Sequence, residues 1–171
     1  MEKFPFYLLT IILIIAVVID IRCRRIPNWL TFSTSIIAII YHAWVKGTEG
    51  LLFSLKGLLV GIAVLIIPYL MGGIGAGDVK LMGAIGGLLG PKNVFTAFLV
   101  SAIMGGFYAF ILLVLYGHIK ETLQRYGTML KTFLLTQKFI YVSPSSQEKQ
   151  PRLCYGVAIA LGTTISIAFF N

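Results

Sequence analysis

The sequence predicts an all-α, polytopic membrane protein: a helix bundle of about six membrane segments with an amphipathic helix at its surface. Hydrophobic residues make up 58% of the 171 residues, above the about 45–50% of soluble domains, and the mean hydropathy is +0.92. Apolar runs of helix-spanning length alternate with short turns. The net charge of +8 falls mainly in those turns, which favours contact with anionic lipid headgroups over nucleic acid.

Six apolar segments follow one another along the chain, and each is predicted to be a helix. They are expected at residues 4–21, 29–45, 51–71, 78–89, 94–116 and 153–170. Pro27 suits the start of the second segment, and Gly57 and Gly61 give the third a spacing that lets helices approach closely. The fourth is too short to cross lipid alone, so we expect the other helices to enclose it.

Residues 118–141 differ from the other segments because apolar and charged residues alternate at helical spacing. This pattern is typical of an amphipathic helix that lies on a membrane surface. With the polar loop that follows, it forms the region 118–152, which we expect to face the cytosol. We therefore predict a single membrane-embedded domain over residues 1–171.

The distribution of Lys and Arg predicts the orientation of the bundle. Ten of the 14 basic residues lie in or beside the turns that follow the first, third and fifth segments, and four lie on the opposite side. The positive-inside rule then places the first group in the cytosol and both termini outside an inner, cytoplasmic membrane.

The chain has only two aspartates, Asp20 and Asp78, each at the edge of an apolar segment. The predicted topology brings both to the cytosolic side at a similar depth. Two close carboxylates share one proton, so that one can activate water while the other donates to a peptide carbonyl. We therefore interpret Asp20 and Asp78 as a catalytic pair that faces the cytosol.

The residues before and after Asp78 have candidate supporting roles. The glycine-rich backbone before Asp78, which includes Gly75 and Gly77, is expected to allow conformations closed to other residues and to let a substrate strand approach. Lys80 either biases the site electrostatically or marks the cytosolic side, and the sequence leaves both open. It also leaves open the alternative that the aspartates cap helices or pair with nearby Arg and Lys side chains.

No metal or cofactor is predicted. Cys23 and Cys154 are isolated thiols, too few for a zinc site or a disulfide framework. His42 and His118 lie at segment ends, where we expect them at the membrane interface and apart from the aspartates.

Three motifs carry a resemblance to a known family. The segment 75–81 reads Gly-Ala-Gly-Asp-Val-Lys-Leu, a GxGDxK pattern; Asp20 is followed by Ile26-Pro27-Asn28; and a Tyr-Gly pair opens the last segment at Tyr155. In this order, on a membrane chain, they resemble the type IV prepilin peptidases.

The resemblance implies an aspartic endopeptidase with Asp20 and Asp78 as its catalytic residues, and with Asn28 among the supporting ones. Its substrates would be prepilins or pilin-like proteins with an apolar N-terminal helix, cut behind a basic leader at the cytosolic face during type IV pilus biogenesis. Larger members carry a cysteine-bearing insert and methylate the product. This sequence lacks that insert, so it resembles a short, peptidase-only branch in which methyltransferase activity is not expected.

Two alternatives from other classes remain open at this stage. One is a small proton-coupled membrane transporter that uses the carboxylates as a relay. The other is a catalytically inactive pilus-assembly subunit that keeps the fold and binds pilin-like helices. The residues do not predict an oligomeric state.

Overall fold

The computed structural model describes residues 4–115 and 154–170. Within those ranges the chain is helical and contains no strand. The helices are α1 (Phe4–Cys23), α2 (Asn28–Leu70), α3 (Ala76–Leu115) and α4 (Tyr155–Phe170). The all-α prediction is confirmed for these ranges, and the predicted amphipathic helix and loop at 118–152 lie outside them.

Three of these helices are long and apolar enough to cross a membrane: α1, α2 and α3, while α4 is shorter and equally apolar. The sequence predicted six segments, and each of the two long helices, α2 and α3, covers two of them. In both long helices one glycine interrupts the helical geometry. Gly47 has φ 58° and ψ −137° in α2, and Gly90 has φ 81° and ψ 174° in α3. The break in α2 falls between the second and third predicted segments, and the break in α3 falls between the fourth and fifth.

Most of the described residues belong to one compact unit, which joins the chain up to Gly106 with the chain from Cys154 onward. In that unit α1 packs against α4 and α2. The core consists mainly of aliphatic side chains, whereas large apolar side chains such as Ile14, Phe32 and Leu59 are more than half exposed. An apolar outer surface of this kind is what a membrane-embedded bundle presents to lipid.

The first part of α3 is the most enclosed stretch of the unit. Every residue from 81 to 90 is buried, as predicted for a segment too short to cross lipid alone. The close packing depends on glycine. A Cβ on Gly57 would collide with the carbonyl of Gly86, a Cβ on Gly86 would collide with the carbonyl of Gly57, and a Cβ on Gly61 would collide with the carbonyl of Met82. The predicted small-residue contact surface is therefore confirmed.

The break at Gly90 leaves backbone carbonyls that two polar side chains of α2 satisfy. Pro91 has no N–H, so the carbonyl of Gly87 loses its usual donor four residues on. Ser54 Oγ donates to that carbonyl at 2.9 Å, and His42 Nε2 donates to the carbonyl of Leu88 at 3.1 Å. His42 is buried, and its ring completes a helix end inside the bundle.

We expect Ser54→Ala to lower the stability of the folded protein by about 1–3 kcal/mol, because it leaves a buried carbonyl without a partner. Thermal unfolding in detergent measures the effect. Ser35→Ala is the matched control: Ser35 is also a serine of α2, but its hydroxyl bonds the carbonyl of Thr31 one turn back, which the helix itself supplies with a donor. Equal losses in the two variants would contradict the role of Ser54 at the break.

Candidate functional site

Four helix termini meet at one end of the compact unit. They are the C-terminus of α1 and the N-termini of α2, α3 and α4, as the contacts described below establish. The turn between α1 and α2 begins at Arg24, whose N–H donates to the carbonyl of Asp20 at 2.8 Å. Arg24 has φ 51°, the left-handed conformation that commonly ends a helix. Asp20 is thereby fixed in the last turn of α1.

Asp78 lies in the first turn of α3, and its carboxylate bonds its own helix terminus. Asp78 Oδ2 accepts from the N–H of Gly75 at 3.0 Å, while the N–H of Asp78 donates to the carbonyl of Gly75 at 3.1 Å. The first bond is one half of a capping box, in which the side chain of the third helical residue accepts from the N-cap N–H, and Gly75 has no side chain to make the other half. The capping alternative is therefore present at Asp78, as the third helical residue and not as the N-cap itself.

Asp20 is held by a different helix. Its Oδ2 accepts from the N–H of Gly156, in the first turn of α4, at 3.0 Å. Cys154 Sγ lies 4.0 Å from the carbonyl oxygen of the same aspartate. Asp20 and Asp78 are both buried, and each carboxylate thus accepts a backbone N–H inside the protein.

The two aspartates are close enough to interact electrostatically. The thiol of Cys154, just before α4, lies within electrostatic range of both of them. The structure therefore gathers Asp20, Asp78 and Cys154 in one place, although 58 residues separate the aspartates in the sequence.

The two glycines of the GxGD motif have different surroundings. A Cβ on Gly75 would lie 3.3 Å from Asp78 Oδ2. A Cβ on Gly77 would lie 3.0 Å from the Cβ and 3.2 Å from the carbonyl oxygen of Ile26. Among the described residues neither has the positive φ that Gly47, Gly72 and Gly90 show. The left-handed backbone expected in the glycine-rich stretch before Asp78 therefore occurs at Gly72, whereas at Gly75 and Gly77 the lack of a side chain is what the packing uses.

Asn28 and Lys80 form a second link between the two motif segments. Lys80 Nζ donates to Asn28 Oδ1 at 2.9 Å and lies 5.6 Å from the centre of the Phe32 ring, within reach of a cation–π contact. Lys80 is thus directed to the start of α2. Together with the contact of Gly77 on Ile26, this link joins the start of α3 to the turn that follows Asp20.

Gly156 and Cys154, which the structure brings to the aspartates, had no predicted role. The only signal for Gly156 was the Tyr-Gly pair that opens the last segment. Hydropathy could not reveal its contact, because the partner carboxylate lies 136 residues away.

Comparison with known proteins gives two matches. A model of the type IV leader peptidase family matches residues 7–110, a range that includes both aspartates. "Prepilin leader peptidase/N-methyltransferase" of Bacillus subtilis (strain 168) is 34% identical over 113 residues, which cover 63% of this chain and 44% of the relative. The match therefore spans less than half of that relative's length. No solved structure matches the chain.

Proposed function

Because the chain belongs to the type IV leader peptidase family, we propose that it is a membrane aspartic endopeptidase that removes the basic leader from prepilin or pilin-like precursors. One observation carries the proposal: Asp20 and Asp78, the only aspartates of the chain, are both buried at the ends of different helices, where the start of α3 is held against the turn that follows Asp20. Close carboxylate pairs that share a proton suit peptide hydrolysis without a metal.

In the proposed mechanism, the ionised aspartate takes a proton from a water molecule while the water oxygen forms a bond to the scissile carbonyl carbon. The protonated aspartate donates its proton to the carbonyl oxygen. The carbon–nitrogen bond of the tetrahedral intermediate then breaks: the leaving nitrogen receives the proton held by the first carboxylate, and one hydroxyl of the intermediate returns a proton to the second carboxylate as the new carboxyl group forms. The aspartates exchange protonation states in the course of the reaction, so the acid and base roles belong to the pair.

We infer that the bundle crosses the membrane in six segments within a single peptidase domain. An unbroken 43-residue helix would be about 64 Å long, twice the roughly 30 Å hydrocarbon core. The breaks at Gly47 and Gly90 would let each long helix reverse direction. The positive-inside rule, with ten basic residues against four, supports a cytosolic position of the aspartates in the cytoplasmic membrane.

The substrate would approach as an apolar helix in the lipid, with its leader at the cytosolic face. The exposed apolar surface of the helices supports docking of an apolar pilin helix beside the bundle. We propose that Gly75 and Gly77 keep the site free of side chains, and that Asn28 and Lys80 hold the start of α3 against the turn that follows Asp20.

The test is to incubate the purified protein with a prepilin in lipid and to measure the product masses. We expect a mass loss that corresponds to the leader. A further methyl-sized gain with a methyl donor would contradict the peptidase-only prediction, which matters because the Bacillus relative is named for both activities. Proton flux in liposomes without cleavage would instead favour a transporter, and binding without cleavage an inactive assembly subunit.

A further inference from the structure

The first turn of α4 contributes to the geometry of Asp20 from the far end of the sequence. The N–H of Gly156 donates to Asp20 Oδ2 at 3.0 Å. The first N–H groups of a helix have no partner within the helix, and the helix dipole favours negative charge beside them. The contact therefore gives one oxygen of a buried carboxylate a fixed, charge-compatible donor.

The identity of residue 156 has a steric reason. A Cβ on Gly156 would lie 2.7 Å from Asp20 Oδ2, 3.1 Å from its Cγ and 3.3 Å from its Cβ. Among the described glycines the positive φ values belong to Gly47, Gly72 and Gly90, so backbone conformation does not require glycine at 156. Glycine is also a poorer helix former than alanine. Helix formation therefore disfavours this residue, and the closeness of Asp20 accounts for it.

The two aspartates differ in what holds them. Asp78 is held by Gly75, three residues away on the same helix terminus. Asp20 is held by a helix 136 residues distant, so its carboxylate keeps its position only while α4 is docked with its first turn against α1. The placement of Asp20 relative to Asp78 thus depends on a contact outside both aspartate motifs.

We propose that Gly156 is a positioning residue, which sets the Asp20 carboxylate through its N–H and through the space left by its missing side chain. This inference rests on the proposed function for its kinetic consequence. An alanine at 156 displaces the carboxylate and breaks the hydrogen bond, and α4 itself remains a good helix.

The experiment compares Gly156→Ala with two other glycine variants in the prepilin cleavage assay. A Cβ on Gly106 meets nothing within 4 Å, whereas a Cβ on Gly162, also in α4, collides with Ser101. We expect Gly156→Ala to lower kcat by about tenfold to a hundredfold, because the variant loses a hydrogen bond to a charged group. KM and the unfolding temperature should change little. Gly106→Ala should behave as the wild type. Gly162→Ala should lower the unfolding temperature, with the kcat of the folded fraction retained.

A second measurement needs no substrate. The infrared carboxyl band that is lost in Asp20→Asn should shift in Gly156→Ala and stay in place in Gly106→Ala. Wild-type kcat together with an unshifted band in Gly156→Ala would overturn the inference while leaving the proposed function intact. If the wild type does not cleave, the proposed function fails, and the infrared band still decides whether Gly156 positions Asp20.

Discussion

Asp78→Asn should abolish leader cleavage, and Asp20→Asn should do the same. An amide cannot take up or release the proton that the proposed mechanism moves, and general acid–base catalysis contributes about 10²–10⁴-fold for each group. We therefore expect a loss of at least about a hundredfold in kcat. Product masses and initial rates measured with the purified protein in lipid check this result.

The asparagine variants also separate catalysis from helix capping. The amide oxygen of an asparagine at 78 can still accept from the N–H of Gly75, the bond that Asp78 makes now. If capping were the only role of Asp78, its asparagine variant would stay active. Glu49→Gln is the matched control, since Glu49 is an exposed carboxylate in α2 and its replacement should leave the rate unchanged. Normal cleavage by either aspartate variant would rule out the proposed pair.

The second large effect is expected at the contact between α2 and α3. Gly86→Ala places a methyl group against the backbone carbonyl of Gly57. Neither group can rotate away, because the position of each is set by the backbone of its helix. Overpacking of this kind costs about 1–3 kcal/mol and sometimes more. That cost works against the gain of up to about 1 kcal/mol that alanine brings to a helix. We expect a lower unfolding temperature in detergent and a smaller folded fraction.

Gly106→Ala again supplies the control, because its Cβ points into open space and only the helix-forming gain remains. Cleavage by Gly86→Ala should fall in proportion to the folded fraction, since Gly86 lies about two turns from Asp78. A variant as stable as Gly106→Ala would contradict the close approach of the two helices.

The sequence predicted those features that depend on composition along the chain. Hydropathy predicted the helices, and the order of the segments with the distribution of Lys and Arg predicted that Asp20 and Asp78 lie on the same side of the bundle. The small-residue spacing at Gly57 and Gly61 predicted a close helix contact. Each of these signals is local or periodic, so it can be read without knowing which segments are neighbours.

The features that could not be predicted depend on partners far along the chain. Ser54 and His42 donate hydrogen bonds to carbonyls that the break at Gly90 leaves without their usual donors. The sequence near Ser54 or His42 gives no indication of these partners. Polarity indicated that the helix ends between the second and third predicted segments, but not that the break lies at the single residue Gly47. Gly156 bonds a carboxylate that only the docking of α4 brings within reach.

The backbone bonds to Asp20 and Asp78 have a consequence for mutagenesis. Both carboxylates accept from main-chain amides, of Gly156 and Gly75, and no amino-acid replacement short of proline deletes an amide. A scan of side chains would therefore never remove these two donors directly. It would detect the Gly156 donor mainly as intolerance of a side chain at that position, where a Cβ would lie 2.7 Å from Asp20 Oδ2, and the Gly75 donor only weakly, since a Cβ there would lie 3.3 Å from Asp78 Oδ2.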